Sequence, residues 1–271
     1  MILARYDDIV NLIISLICTA AQHANRKSRK CEAMTRVTNT SNTVNGAVYE
    51  ELKRSIITLH LAPGTEMSTQ EIATKLNVSR TPVREAFLRL QNEDLVEMVP
   101  QKQTIVSRIN LDRVEQERFL RESLEAAAIP LVLGRYTPDV IAKLNENIVE
   151  QKRARDAHDY ALFIDHDNRF HKILFAAAGQ ALSWRVIISN NGHYNRLRTL
   201  SVQNDETITS AICQHERMVE QMKHQQADQL CAEFRDHVRK INREKQELLK
   251  LYPDYFSTGN ERYVGFTLGT L

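Results

Sequence analysis

The histidines of the chain are the side chains best suited to chemistry, and there are nine of them. Asp167 and His171 are four residues apart, so on a helix both would leave the same face about one turn apart. His215 and His237 follow on later segments. One carboxylate and three imidazoles suit Zn²⁺, Ni²⁺, Mn²⁺ or Fe²⁺. An Asp-x-x-x-His pair alone is weak evidence, however, and His215 and His237 could equally be surface residues.

A pair of arginines forms a second candidate site. Arg80 and Arg84 are also four residues apart, so their guanidinium groups would share one helix face. A helix in the DNA major groove contacts base edges with its N-terminal residues, and arginine is the usual partner of guanine. Ser79 and Thr81 can donate hydrogen bonds to phosphate oxygens, and Lys102 lies at the tip of an expected hairpin. The pattern predicts a DNA-contacting surface.

The alternative for these arginines is a solvated helix face, on which they pair with Glu85 and Glu93. Residues 44–108 contain eight basic and eight acidic side chains, so this segment is not electropositive overall. DNA binding would therefore depend on how the charges are arranged rather than on their sum.

Length and composition indicate a globular, mainly helical protein of one or two domains. The 271 residues carry 36 Lys and Arg against 34 Asp and Glu, which excludes a histone-like chain. Hydrophobic residues make up 42%, whereas 8 Gly and 6 Pro are too few for a sandwich with frequent turns. None of the 4 Cys lies in a C-x-x-C pair, which fits a reducing cytoplasm.

The N-terminal segment contains the most apolar run of the chain, residues 9–21. At 13 residues this run is too short to span a bilayer as a helix, and Asp7 and Asp8 precede it where a signal peptide would be basic. We expect residues 1–45 to be a poorly ordered extension, with Met34 as the natural start. An additional packed helix and a targeting segment are the alternatives.

The segment 46–108 has the order of a winged helix-turn-helix. Apolar residues recur at helical spacing over residues 47–59. Ser68 and Glu71 then form a capping box that opens a short helix, and the next helix begins near residues 79–81. Two β-rich pieces complete a hairpin, residues 95–99 and 104–108.

Helical patterns continue over residues 109–250 and predict an all-helical bundle of about six helices. The first expected helix covers residues 114–132, and Pro130 should kink or end it. The next begins at Thr137 and Pro138. The remaining patterns cover residues 159–177, 181–200, 207–224 and 227–251. Residues 251–271 are expected to be a loop-rich tail.

The segment Leu61-Ala-Pro-Gly64, followed by Val78-Ser-Arg-Thr-Pro-Val-Arg-Glu-Ala-Phe87, resembles the N-terminal DNA-binding domain of the GntR family of bacterial regulators. The resemblance extends over some sixty residues, and its second string is highly specific. It implies that Arg80 and Arg84 read bases and that Ser79 and Thr81 contact the DNA backbone.

The following residues resemble the FCD effector domain of the FadR branch of that family. The resemblance covers roughly residues 110–245 and is carried by Arg121-Glu-Ser-Leu-Glu125, Asp167-Asn-Arg-Phe-His171, His215 and His237. It implies a divalent metal ion, of unknown identity, held by Asp167, His171, His215 and His237.

The resemblance also implies that Arg121 faces a ligand cavity. Arg196 and Arg198 are further candidates for holding an anionic effector, with a helix-surface role as the alternative. Together these features predict a cytoplasmic transcriptional repressor, with no membrane association, whose operator affinity is controlled by a small carboxylate at the metal site. A homodimer is expected, because a two-fold protein matches a palindromic operator in double-stranded DNA.

Two other functions remain open. One is a constitutive dimeric DNA-binding protein without an effector. The other is a metal-dependent hydrolase or lyase, in which an open metal position lowers the pKa of bound water. The sequence contains no H-E-x-x-H pattern, nucleophile elbow or Gly-rich phosphate loop, so we expect the protein not to be an enzyme.

Overall fold

The structure is a computed structural model that describes residues 39–99 and 103–257. Contacts divide the chain between Ser107 and Arg108 into two compact units. Lys102, most of the expected N-terminal extension and the end of the expected tail lie outside the described residues. No helix of the described part is long and apolar enough to cross a membrane.

The first unit has three helices and a three-stranded sheet in the described part of the chain. The helices are α1 (Asn39–Ile57), α2 (Thr69–Lys75) and α3 (Arg80–Asn92), and the strands are β1 (Glu66–Met67), β2 (Val96–Met98) and β3 (Thr104–Val106). The sheet is antiparallel in the order β1-β3-β2, with Val96 opposite Val106. Helices and hairpin follow the predicted order. Strand β1 was not predicted, because two residues are too short to show an alternating pattern.

Helix α1 corrects the expected end of the N-terminal extension. It begins at Asn39, so the last residues of the segment 1–45 are helical rather than irregular. Residues 39–45 are mostly polar and have no apolar residues recurring at helical spacing. The sequence pattern therefore does not predict a helix there. Adding residues to the end of an existing helix costs less free energy than nucleating a new helix.

The turn between α2 and α3 sets the direction of the predicted recognition helix. The Ser68 side chain accepts a hydrogen bond from the Glu71 N–H, as the capping-box pattern predicted. Asn77 then takes a left-handed φ of 51°, which asparagine tolerates better than most residues. Helix α3 buries Phe87 and Leu90 in the core of this unit. Its opposite face is thereby left in solvent.

The second unit is all-helical over its described residues, as expected. Its helices are α4 (Leu111–Leu133), α5 (Pro138–Asp156), α6 (Tyr160–Ala177), α7 (Ala181–Ser189), α8 (Gly192–Ser201), α9 (Asp205–Lys223), α10 (Ala227–Arg239) and α11 (Ile241–Leu251), followed by a 3₁₀ turn (Pro253–Tyr255). The described part of this unit thus contains eight helices rather than about six, because two of the expected helices are each divided.

The first division is at Asn190, between α7 and α8. Its side-chain amide donates to the Val186 carbonyl (2.9 Å) and so competes for a helical acceptor. The second division is at Lys240, which keeps helical torsion angles of −51° and −40°. There the Arg243 N–H bonds to the Lys240 carbonyl (3.0 Å), a tighter three-residue step. Apolar residues continue at helical spacing across both points, so the sequence pattern does not show that the helices divide there.

Pro130 does not end α4, contrary to one of the two expectations for it. The helix continues to Leu133, and the Gly134 N–H bonds to the Pro130 carbonyl (3.1 Å). Proline removes one N–H from the ladder, but here it lies in the last turn. Ile129 and Val132 on either side are buried in the core, and this packing holds the turn together.

The chain after α11 was expected to be a loop-rich tail, and its described residues are attached to the second unit. The Ile109 N–H donates to the Tyr255 carbonyl (2.8 Å), and the Ser257 N–H donates to the Ile109 carbonyl (3.1 Å). Phe256 between them is buried. These hydrogen bonds and the burial of Phe256 therefore fix the position of the chain immediately before α4.

Candidate metal centre and nucleic-acid interface

The predicted DNA-contacting residues gather at the start of α3. Ser79 is the N-cap of the helix, Arg80 and Thr81 are its first two residues, and Arg84 follows one turn later. All four are exposed. The helix N-terminus also offers backbone N–H groups that suit phosphate oxygens. This surface can therefore contact both phosphates and base edges.

The alternative in which these arginines pair with Glu85 and Glu93 is not supported, because both glutamates have other partners. Glu85 accepts a hydrogen bond from the Asn45 amide (2.6 Å). Glu93 forms an ion pair with Lys53 (2.6 Å) and accepts a hydrogen bond from the Tyr49 hydroxyl. The two glutamates serve the contact between α1 and α3.

The four predicted metal ligands converge inside the second unit. Asp167 and His171 lie on α6, His215 on α9 and His237 on α10. Each offers one ligand atom, and these atoms all lie within 4.8 Å of one another. Asp167, His171 and His215 are buried, and the His237 side chain is 9% exposed. The alternative of surface positions for His215 and His237 is therefore wrong.

All three imidazoles turn Nε2 toward the same carboxylate. Nε2 of His171 is 3.8 Å from Oδ2 of Asp167, and Nε2 of His215 and of His237 are each 3.7 Å from Oδ1. In the described part of the chain, Nε2 of His171 and of His215 are buried without a hydrogen-bond partner. Buried polar atoms are rarely left unpaired, and a divalent cation would satisfy them. The donor set thus fits a metal ion.

The opposite nitrogen of each ring faces an oxygen. Nδ1 of His215 is 2.8 Å from Oε1 of Gln151, and Nδ1 of His237 is 3.1 Å from Oε1 of Gln214. Nδ1 of His171 is 2.9 Å from Oε1 of Glu125, a charge contact whose angle is not that of a hydrogen bond. Metal-binding histidines commonly have such partners, which fix the tautomer and the ring orientation. Sequence reasoning missed both glutamines, since Gln151 and Gln214 belong to no motif that was recognised.

The electrostatics of the cluster favour the ligand form of these groups. Burial lowers the pKa of His215 to about 3 and holds that of His237 well below its usual value, so both rings are neutral at neutral pH. Burial alone would raise the pKa of Asp167. Nearby groups, of which the Arg198 guanidinium has the largest effect, outweigh burial and bring that pKa well below its usual value. A carboxylate and neutral imidazoles are what a metal ion requires.

Arg121 lies beside this cluster and is fully buried. Its Nε donates to Oε1 of Glu125 (2.9 Å), and its Nη2 is 3.7 Å from Oδ2 of Asp167. Nη1 and Nη2 are buried without a hydrogen-bond partner among the described residues. A guanidinium group whose two terminal nitrogens make no hydrogen bond is suited to a carboxylate ligand.

Arg196 and Arg198 lie on α8, and both are buried, so the helix-surface alternative is wrong for both. Arg198 donates a hydrogen bond to Oδ2 of Asp167 and others to Asn168 (3.1 Å) and Asn195 (3.0 Å). Arg196 bonds within its own helix, to the Gly192 carbonyl (3.4 Å) and Nδ1 of His193 (2.9 Å). Arg198 therefore contacts the metal-ligand cluster through its hydrogen bond to the Asp167 carboxylate.

A winged helix-turn-helix unit followed by a helical unit with a buried ligand cluster defines a class of DNA-binding regulators. Residues 45–106 match the gntR family of bacterial regulatory proteins, and residues 118–240 match the FCD domain. The chain belongs to the GntR family, and it is a transcriptional regulator of that type with an FCD effector domain.

Individual relatives agree with this assignment. The chain is 30% identical over 211 residues to an HTH-type transcriptional regulator in an unstable DNA locus of Streptomyces ambofaciens, covering 78% of this chain and 89% of that one. It is 27% identical over 219 residues to the HTH-type transcriptional repressor RspR of Escherichia coli, covering 81% and 96%. Among solved structures, E. coli McbR/YncC has the same fold, with a TM-score of 0.61 at 21% identity over 78% of this chain and 98% of that one.

Proposed function

We propose that the protein is a repressor whose affinity for operator DNA depends on a divalent metal ion and a small carboxylate bound in the helical unit. The observation that carries this proposal is the convergence of four ligand atoms within 4.8 Å, next to an arginine whose Nη1 and Nη2 make no hydrogen bond among the described residues. A structural core would not leave such groups buried and unsatisfied.

Asp167, His171, His215 and His237 would hold the metal ion, whose identity is Zn²⁺, Ni²⁺, Mn²⁺ or Fe²⁺ on the chemistry of the donors. When bound, the ion supplies a positive charge and open coordination positions that a carboxylate oxygen can take. Arg121 would hold a second oxygen of that carboxylate through Nη1 and Nη2. Arg198 orients Asp167 from α8.

Control of DNA binding requires that the effector bind one arrangement of the protein better than another. The equilibrium then shifts by that difference in affinity and by no more. The DNA side of the proposal consists of Ser79, Arg80, Thr81 and Arg84 on α3, with Lys102 of the wing as an additional contact. We further propose a homodimer on a palindromic operator, because two recognition helices related by a two-fold axis match two half-sites.

The repressor role is supported by RspR of E. coli, which is named a transcriptional repressor. The relatives also favour a regulator over a metal-dependent hydrolase or lyase, since they are named as transcriptional regulators. A constitutive DNA-binding protein would not need unpaired polar groups in its core. For this reason we place metal and effector sensing ahead of that alternative.

The proposal is tested by thermal unfolding with a panel of small carboxylates, each measured in the presence of Zn²⁺ and of a chelator. A ligand at one hundred times its Kd would add about 2.7 kcal/mol of stability. We expect one class of carboxylate to raise Tm with metal and not with chelator, and the same compound to change DNA binding. A full panel without any metal-dependent shift would contradict the proposed sensing function.

The same measurement on His215→Ala separates the remaining possibilities. Loss of the shift in this variant, with DNA binding retained, supports a metal-borne effector site. If the wild-type protein binds no metal and still binds its operator, the constitutive DNA-binding function is correct instead.

A further inference from the structure

One oxygen of Glu125 lies between the metal-ligand cluster and Arg121, the effector arginine, which is proposed to hold the carboxylate effector. Oε1 of Glu125 accepts a hydrogen bond from Nε of Arg121 (2.9 Å), one turn earlier on α4. The same oxygen is 2.9 Å from Nδ1 of His171 on α6. The side chains of all three residues are at most 2% exposed. A single buried atom therefore contacts both halves of the proposed site.

The buried pair of Glu125 and Arg121, taken as a whole, has no evident advantage for stability. Burying an ion pair often contributes nothing to stability compared with apolar side chains of similar size. The second oxygen of Glu125 is buried without a hydrogen-bond partner among the described residues. Glu125 also lines a small apolar cavity, whose other lining residues include Ala128, Ile129 and Phe234. Apolar residues in place of both Arg121 and Glu125 would suit these neighbours, so the buried ion pair as a whole needs another explanation.

The partners of the other two imidazoles provide the contrast. His215 and His237 have neutral amide oxygens at Nδ1, from Gln151 and Gln214. His171 has a carboxylate oxygen instead, and that oxygen lies to one side of the N–H direction. A carboxylate partner makes a metal-bound imidazole a stronger ligand than an amide does, because it favours the developing positive charge on the ring.

We propose that Glu125 is a positioning residue that couples the metal ion to the effector arginine, by holding His171 in its ligand tautomer and Arg121 with its terminal donors free. The inference rests on the proposed metal and effector site. The negative charge of Glu125, 2.9 Å from Nδ1 of His171, favours the proton on Nδ1, which leaves Nε2 for the metal ion. It also occupies Nε of Arg121, so that Nη1 and Nη2 are the donors left for a ligand. A substitution of His171 or of Arg121 therefore affects the other residue, because both contact Oε1 of Glu125.

The test uses Co²⁺ alone as the probe, with affinity measured by chelator competition and geometry by visible absorption. Loss of such an outer partner usually costs about 10–100-fold in metal affinity. We expect Glu125→Gln to weaken Co²⁺ binding about tenfold and to change the Co²⁺ spectrum. Glu122→Gln is the matched control, because Glu122 lies on the same helix but pairs with Arg118 and Arg239. It should leave both readouts unchanged.

A double-mutant cycle tests the coupling itself. Arg121→Met should change Co²⁺ affinity in the wild-type background by at least about twofold more than in the Glu125→Gln background, as for neighbours that interact. Equal effects in the two backgrounds overturn the coupling. If Glu125→Gln does not fold, Glu125→Asp serves in its place, since it keeps the charge but withdraws the oxygen from both partners.

The outcomes also separate this inference from the proposed function. If the wild-type protein does not bind Co²⁺, or His171→Ala binds it equally well, the metal site is wrong. If wild type binds, His171→Ala loses affinity and Glu125→Gln behaves as wild type, the metal site stands and the role of Glu125 is overturned.

Discussion

Arg198 on α8 donates a hydrogen bond to Asp167 on α6, the carboxylate toward which all three candidate imidazole ligands point. The two charges are buried together, and the arginine lowers the pKa of the carboxylate against the opposing effect of burial. A metal ligand is thereby oriented by protein contacts, and α8 is tied directly to the cluster.

The first prediction concerns Arg198→Met. Removing one partner of a buried ion pair leaves an uncompensated charge and costs about 3–5 kcal/mol. A bound divalent cation would offset part of this cost, since it supplies the missing positive charge. We therefore expect the loss of unfolding free energy to be larger in a chelator than in Zn²⁺. An equal loss under both conditions would show that Asp167 is not a metal ligand.

The second prediction concerns the pH dependence of the metal-free protein. The pKa of His215 is about 3 in the folded chain, and that of His237 is also well below its usual value near 6.5. Below pH 6.5 the unfolded chain binds protons that the folded chain does not, so stability falls as the pH decreases from 6.5 toward 3. Each histidine contributes up to about 1.4 kcal/mol per pH unit.

Urea unfolding in a chelator, at several pH values between 7.5 and 5, checks this slope. His215→Gln removes one titrating group and should flatten the dependence. The exposed His158 provides the control, and His158→Gln should retain the wild-type slope. A slope that is the same in His215→Gln and in wild type would contradict the assigned titration.

The third prediction concerns the recognition helix. Arg84→Ala should weaken operator binding by about 1–3 kcal/mol, because a bidentate arginine–guanine contact contributes about that much. Binding of Co²⁺ to the helical unit should not change. Arg153→Ala is a suitable control, since this arginine is 71% exposed on α5 of the other unit. Fluorescence anisotropy with operator and with random DNA distinguishes base reading, which affects the first alone, from phosphate contact, which affects both.

The fourth prediction concerns the segment after α11. Phe256 is buried at the bridge to Ile109, so Phe256→Ala should destabilise the second unit by about 3–5 kcal/mol. Leu251→Ala, a few residues earlier and 62% exposed, should stay within about 0.5 kcal/mol of wild type. Calorimetry of the two variants decides whether this segment is an integral part of the fold. A small effect of Phe256→Ala would mean that it is peripheral.

Much of the architecture could be predicted from the sequence, because it depends on local patterns. The spacing of apolar residues located most of the helices, and Ser68 and Asn77 marked the start of α2 and the turn before α3. The pattern could not locate the breaks at Asn190 and Lys240. Apolar residues continue across both points, and hydrogen bonds between particular groups decide where a helix divides.

The sequence also identifies the candidate ligands, from residue type and family resemblance. Their convergence is a property of the tertiary structure, since His215 and His237 are far from Asp167 in sequence and approach it only through the packing of α9 and α10 with the rest of the bundle. Burial was not predictable either. A sequence pattern does not distinguish an arginine on a helix surface from one such as Arg196, which is fully enclosed.

The sequence by itself determined which residue types are available: one carboxylate and three imidazoles for a metal ion, and arginines at the start of a helix for DNA. Only the tertiary structure decided what surrounds them, including Glu125 and Gln151 behind the imidazoles and Arg198 on the carboxylate. The physical reason is that hydrogen bonding and desolvation depend on distances of a few ångströms between segments that are remote in the chain. Residue spacing carries information about neighbours on one helix, whereas contacts between helices are set when the bundle packs.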